Sequence, residues 1–356
     1  ELQIHSDIRD KDKVFYFTTC GWMMWNWLVG VLSAGATILL FDGFPMYKKD
    51  DLLFEFASEE KATLFGISAK YIDSLMNKEV VPNKNYDLSS LRTICSTGSP
   101  LSKDGFKYIY NKIKKDVHLS SISGGTDIIS CFVLGNLFQP VYEGEIQNRG
   151  LGMDVDIFDE KGSPINNMKG ELVCKTPFPS MPVKFWNDEG NKKYKSAYFK
   201  KYNNVWHHGD FAKITNNGGF VIFGRSDTTL NPGGVRLGTA EIYNVVEKFD
   251  EIQESIVIGQ SWKNDIRIIL FVVLNSGYNL SGEIKDKIKK AVRSQASPRH
   301  VPSKIIAVSE IPKTKNGKLV ELAVKQTVEG EEIKNLEALA NPDSLEQFKK
   351  IEELNE

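Results

Sequence analysis

The apolar positions in the first 145 residues follow two alternating periods. VFYFTT (14–19), ATILLF (36–41), TLFGIS (63–68), LRTICSTG (91–98) and VHLSSIS (117–123) are short, nearly continuous apolar runs rich in β-branched and aromatic residues. That is the pattern of strands covered on both faces. Between them, DDLLFEFASEEK (50–61), AKYIDSLMNK (69–78) and SKDGFKYIYNKI (102–113) repeat apolar residues at three- and four-residue spacing, as amphipathic helices do. Strands alternating with helices predict a mostly parallel sheet covered by helices, with ligands at the carboxyl ends of the strands. Gly21–Phe41 carries no charge for 21 residues, long enough to span a bilayer. Gly30, Ser33 and Gly35 interrupt it, and neither flank carries a Lys/Arg cluster to orient it. The expectation is a buried helix over 22–33 and a strand over 36–41, with no membrane span.

The texture changes at about residue 146. MDVDIFDEKGSPI, GELVCKTP and HHGDFAKITNNGGFVIFG are short strand patterns broken by Gly, Asn and Pro, and NNGG (216–219) is a hairpin signal. A third texture follows: helix (GTAEIYNVVEKF), strands (SIVIGQ, RIILFVVL), charged amphipathic helix (GEIKDKIKKAVRSQA) and strand (KIIAVSEI). The Glu- and Lys-rich last 30 residues are expected to pack as short helices or fray. The reading is α/β and α+β: 1–145 as part of a large α/β domain, 146–226 as a β-rich subdomain, and 227–356 as a mobile α+β domain.

Composition narrows the function classes. Forty-five basic against 46 acidic residues give a net charge of −1, with no bulk electrostatic case for nucleic acid or an anionic membrane. Cys20, Cys95, Cys131 and Cys174 show no metal-binding spacing and read as reduced, mostly packed thiols of a cytoplasmic protein. The chain opens ELQIHSDIRD without a Met, and the expectation is that the N-terminal part of a longer protein is absent.

Candidate chemistry lies in loops. SGGTD (123–127) offers backbone amides that can cradle phosphate, and Thr126 and Asp127 are hard oxygen ligands suited to Mg²⁺. STGSP (96–100) follows a strand directly, with Ser102 placed to cap the next helix. Alone, each loop is more commonly an ordinary turn with no ligand. WHHGDFAKI (206–214) places Asp210 at a strand start, where it can accept bonds from ribose hydroxyls. A metal reading of His207 and His208 is set aside, because adjacent strand residues face opposite ways. GRSDTTLNPGGVRLGTAEI (224–242) brackets Asp227 and a flexible PGG with Arg225 and Arg236, and arginine suits phosphate and ribose. IPKTKNGKL (311–319) has three lysines. Lys313 and Lys315 read as solvated surface, and Lys318 follows Gly317.

In this order, GSP, SGGTD, GELV, WHHGD, GRSDTTLNPGGVRLGTAEI and PKTKNGK resemble the acyl-adenylate-forming ligase superfamily over nearly the whole chain. GRSDTTLNPGGVRLGTAEIY resembles the acetyl-/acetoacetyl-CoA synthetase branch, within which SGGTDI and IPKTKNGKLVELAVKQTVEG look most like the acetoacetyl-CoA synthetases. The resemblance implies a two-step ligation. A carboxylate, here acetoacetate, attacks the α-phosphate of ATP, and CoA then displaces AMP from the acyl-adenylate. It implies that Gly98, Ser99 and Pro100 line the adenine and that Gly125 and Thr126 contact phosphate. It further implies that Asp127 holds Mg²⁺, that Asp210 and Arg225 bind the ribose, and that Arg236 meets phosphate. By the same resemblance Gly233, Gly234 and Arg293 would serve CoA, Asp227 would be the hinge, and Lys318 would meet the charge developing between carboxylate and α-phosphate. Two departures stand out. Gly124 falls where acetyl-CoA synthetases carry a pocket-shortening indole, which implies room for a longer acid. Ser123 replaces an aromatic expected to face adenine. The family's phosphate loop would lie before residue 1, so these 356 residues by themselves are expected to have little adenylation activity. Rival readings are a ligase for another short or medium carboxylic acid and a non-catalytic nucleotide- or CoA-binding module.

Overall fold

The computed structural model describes residues 1–230, 232, 237–263, 265–315, 318–333 and 336–355. It divides into two compact units, Glu1–Ile222 and Phe223–Glu356.

The first unit is built on a five-stranded sheet of β1 (Lys13–Tyr16), β2 (Thr37–Leu39), β3 (Leu64–Ser68), β4 (Thr93–Thr97) and β5 (His118–Ser121). The spatial order is β2-β1-β3-β4-β5, and every pairing is parallel. The near-continuous apolar runs follow from cover on both faces. Phe15, Phe65 and Ile94 join one core with Phe54, Ile72 and Phe106. Their strand neighbours Tyr16, Leu64 and Cys95 join another with Met24, Trp27 and Leu28. Gly66 is a glycine for a packing reason: it pairs with Tyr16, and a Cβ there would lie 2.1 Å from the Tyr16 ring.

The helices that accompany this sheet are α1 (Leu2–Ser6), α2 (Met23–Gly30), α3 (Leu52–Glu59), α4 (Ala69–Asn77), α5 (Pro82–Asn85) and α6 (Lys103–Tyr108). Ser68 and Ser102 cap α4 and α6 by accepting from the amides of Tyr71 and Gly105. The uncharged run is α2 with a 3-10 turn (Val31–Ala34) and β2, and no described helix is long and apolar enough to cross a membrane.

A three-stranded antiparallel sheet follows, formed by β6 (Ser123–Gly125), β7 (Ser130–Leu134) and β8 (Asn148–Arg149). A four-stranded sheet then has the order β12-β11-β10-β9, from β9 (Val155–Phe158), β10 (Gly170–Cys174), β11 (Trp206–Ile214) and β12 (Phe220–Arg225). The NNGG turn joins β11 to β12, with Gly218 at φ 79° and the amide of Thr215 bonded to Gly219 O at 2.8 Å. This region also holds a helix that the strand-like pattern does not predict, α7 (Lys192–Tyr198).

The second unit contains α8 (Thr239–Val246), the long hairpin β13 (Ile252–Trp262) and β14 (Asp265–Leu274), α9 (Gly282–Gln295), β15 (Lys304–Ala307) and α10 (Glu321–Glu329). β14 pairs antiparallel with β13 and parallel with β15. Helices α8 and α9 place Ile242, Val246, Ile288 and Val292 on one core of this sheet. The tail forms short 3-10 turns whose Leu345, Phe348 and Leu354 are buried against Ile258 and Phe271. Of the two outcomes expected for the tail, it packs.

Candidate functional site

In the first unit the candidate residues gather where β4 and β5 end. Gly98 adopts φ 91°, a conformation open to glycine at little cost, and this turns the chain off β4. Gly98 and Pro100 are exposed and Ser99 is half-buried. Thr97 Oγ1 donates to Ile122 O at 3.0 Å, and Ile122 N donates to Ser96 O at 2.9 Å. The GSP turn and the SGGTD loop are therefore tied side by side.

From Ser123 the chain makes the tight β6–β7 turn. Thr126 and Asp127 are exposed in it, and Ile129 closes it at φ 47°, a costly conformation for a β-branched residue. Asp127 Oδ2 accepts a hydrogen bond from the Tyr198 hydroxyl. The Tyr198 ring lies flat on Trp206, 3.6 Å away at 13°. Asp127 Oδ1 has no hydrogen-bond partner among the described residues.

Asp210 sits in the middle of the nine-residue β11 rather than at a strand start. It is buried. Ser123 Oγ donates to its Oδ2 at 3.4 Å, and His208 Nε2 stands 3.7 Å from the same oxygen and 3.1 Å from Gly124 O. His208 is also edge-on to Phe132, with ring centres 4.7 Å apart. A Cβ on Gly125 would come within 2.7 Å of His208 Cε1, so glycine there lets the imidazole lie under the loop. His208 thus links the loop to Asp210, a role that reading the two histidines as a possible metal pair did not reveal. His207 faces the other way, its Nε2 3.0 Å from Glu171 Oε2.

Gly124 departs from the expectation of free space. A Cβ built on it would lie 2.0 Å from Ser130 O and 2.6 Å from Cys131 Cα. Strand β7 fills that direction, so glycine is required by the close approach of two backbones. An indole at this position needs a different path for the loop. Gly124→Ala is therefore expected to destabilise the first unit by about 1–3 kcal/mol, read as a lower urea midpoint. An unchanged midpoint would show that the β6–β7 approach is loose.

In the second unit, Arg225 and Asp227 form an exposed pair with Nε 3.7 Å from Oδ1. The hydroxyls of Thr228 and Thr229 donate to Arg225 O at 3.2 and 3.0 Å, which closes the turn around Asp227. Asp227 lines an open cleft with Ile258, Glu321 and Lys325. Arg293 is exposed in the last turn of α9. Gly233, Gly234, Arg236 and Gly317 lie outside the described residues.

Lys318 is exposed beside a hairpin turn. Its amide donates to Thr314 Oγ1 at 3.1 Å, the amide of Thr314 donates to Lys318 O at 2.9 Å, and Lys313 pairs with Leu319 across the turn. Lys315 is exposed as expected. Lys313 is not: it is half-buried and bonded through Nζ to Glu254 Oε1.

All four cysteines are free. Cys95, Cys131 and Cys174 are buried, and burial pushes the Cys95 thiol up to about 12 and Cys174 up to about 11, which leaves them little thiolate character.

Comparison with known proteins gives two family matches: AMP-binding enzyme over residues 2–181 and AMP-binding enzyme C-terminal domain over residues 241–318. The chain is 56% identical to an acetoacetyl-coenzyme A synthetase of Rhizobium meliloti over 99% of its own length and 54% of that protein's. It is 46% identical to an acetoacetyl-CoA synthetase of Gallus gallus over 99% of its length and 53% of the relative's. The solved structure of an acetoacetyl-CoA synthetase from Streptomyces lividans superimposes with a TM-score of 0.93 at 40% identity, covering 100% of this chain and 55% of that one. The chain thus spans about half the length of the relatives it matches.

Proposed function

We propose, from the premise that this chain belongs to the AMP-binding enzyme family, that it takes part in joining acetoacetate to CoA at the expense of ATP. The products are acetoacetyl-CoA, AMP and pyrophosphate, formed through an acyl-adenylate. The observation that carries the acid and the thiol is the 56% identity, over 99% of the chain, to a protein named acetoacetyl-coenzyme A synthetase.

Each candidate then has a part, supported by its setting where the residue is among those described. The GSP turn and the SGGTD loop offer adjacent backbone at strand ends, where sheets of this kind take nucleotides; Gly98, Ser99 and Pro100 face the adenine, and Gly125 and Thr126 the phosphate. Asp210, a buried carboxylate oriented by Ser123 and His208, accepts from the ribose hydroxyls together with Arg225 as donor. Arg236 meets phosphate, Gly233 and Gly234 line the way for pantetheine, and Arg293 meets the CoA nucleotide. Asp227 is the pivot between half-reactions, and Gly124 borders the acyl group. Lys318 supplies a point charge to the adenylate-forming step.

Asp127 and Thr126 fit Mg²⁺. Both are exposed oxygen donors in one turn, and Asp127 has Oδ1 open to a ligand among the described residues. Such cations are held by one or two carboxylates together with substrate phosphates. The bound cation would neutralise phosphate charge as pyrophosphate leaves. The free thiols support a cytoplasmic location.

The test is acid-dependent pyrophosphate release, across acetate, acetoacetate, butyrate and 3-hydroxybutyrate, by a protein that carries this chain at the full length of the relatives it matches. Acetoacetate is expected to exceed acetate by about tenfold or more in kcat/KM. A best rate on acetate would overturn the proposed acid.

A further inference from the structure

We infer that Tyr198 is a positioning residue for the cation carboxylate of Asp127, an inference that rests on the reading of Asp127 given above. The two residues are 71 positions apart, and the contact joins the β6–β7 turn to helix α7. The phenol binds one oxygen of the exposed carboxylate, and Oδ1 has no hydrogen-bond partner among the described residues. A carboxylate that ligates a metal through one oxygen and is hydrogen-bonded through the other is held in one rotamer, and loss of such a support weakens metal binding by about 10–100-fold.

The support is itself rigid. The Tyr198 ring is stacked on Trp206, which is buried and edge-on to Phe178 and Phe199. Trp206 starts the same strand that carries His208 and Asp210. One aromatic layer therefore sets the place of Asp127 relative to Asp210, so the carboxylates proposed for the cation and the ribose are held on a common frame. An exposed aspartate in a two-strand turn would otherwise lose rotamer entropy on meeting a cation. Here the phenol has removed that freedom beforehand.

Tyr198→Phe removes the hydroxyl and keeps the ring on Trp206. Binding of the Mn²⁺–ATP complex, used as the probe, is read by the enhancement of water-proton relaxation over that of Mn²⁺–ATP without protein, with Asp127→Asn alongside. The expected result is a Kd about tenfold higher for Tyr198→Phe, a larger loss for Asp127→Asn, and an unchanged melting temperature for Tyr198→Phe. A loss with Asp127→Asn and an unchanged or tighter Kd with Tyr198→Phe overturns the positioning role alone. No effect of either variant overturns the cation reading of Asp127 and the positioning role with it. A fall in melting temperature that accounts for the weaker binding would make the tyrosine a structural support, which also overturns the inference.

Discussion

Replacing Lys318 with alanine, in a protein that carries this chain at the full length of the relatives it matches, is expected to slow acetoacetate-dependent ATP–pyrophosphate exchange by about a hundred- to a thousandfold, while thioester formation from supplied acyl-adenylate and CoA keeps nearly its full rate. The magnitude is that of deleting one donor aimed at charge that develops in a transition state. The asymmetry follows from where the charge appears. Attack of a carboxylate on the α-phosphate concentrates negative charge between two anionic groups, and a lysine answers it as a compact point charge. Displacement of AMP by a thiolate places the charge elsewhere. The variant should fold: the turn is closed by backbone and Thr314 hydroxyl bonds, and the lysine is exposed. Lys313→Ala is the informative companion, since that residue bonds Glu254. It should lower stability slightly and leave exchange intact. Equal loss of both half-reactions in Lys318→Ala would show that the lysine acts through structure.

The contrast between Lys313 and Lys318 shows what could be read from the chain. Three lysines in six residues look alike in composition, and only their order among the other motifs singled out Lys318. The pairing of Lys313 with a strand residue 59 positions away carries no local pattern. Periodicity worked well where burial on two faces dictates the side chains: all five parallel strands and helices α2, α3, α4 and α6 lie where the apolar pattern put them, whereas the short α5 was not predicted. It failed at α7, whose KKYKSAY has no clear apolar stripe and whose place is held by aromatic stacking on Trp206. The site was legible as loops and as candidate carboxylates. Its internal contacts were not, because Tyr198 to Asp127, His208 to Gly124 and Glu171 to His207 all join residues dozens of positions apart. Gly124 is the sharpest case. An absent indole suggests space, but a sequence does not show the direction of the missing Cβ, and that direction runs into strand β7.

Glu171 offers the second large effect. The GELV motif reads as an ordinary strand, yet the Glu171 side chain has no solvent exposure and its oxygens are bound by Lys201 Nζ and His207 Nε2. A carboxylate withdrawn from water costs several kcal/mol unless positive charge and hydrogen bonds replace its hydration. The imidazole is charged only when protonated, whereas the lysine is a lasting charge. Lys201→Met, which keeps an apolar stem and deletes the ammonium, is therefore expected to destabilise the first unit by about 3–5 kcal/mol, measured by urea denaturation. Glu171→Leu should cost less, because Lys201 keeps about a third of its side chain exposed and can turn its ammonium to water. If this asymmetry is right, Glu171→Leu combined with Lys201→Met will be more stable than Lys201→Met alone, since the double variant removes the stranded carboxylate. Additive losses would mean that the pair contributes only its separate packing. The consequence reaches the site through β11: His207 is held by Glu171 on one face while His208 and Asp210 meet the SGGTD loop on the other. On the proposed reading of Asp210, slippage of that strand should weaken nucleotide binding before the unit unfolds, seen as a higher Kd for ATP in Lys201→Met at temperatures below its melting transition.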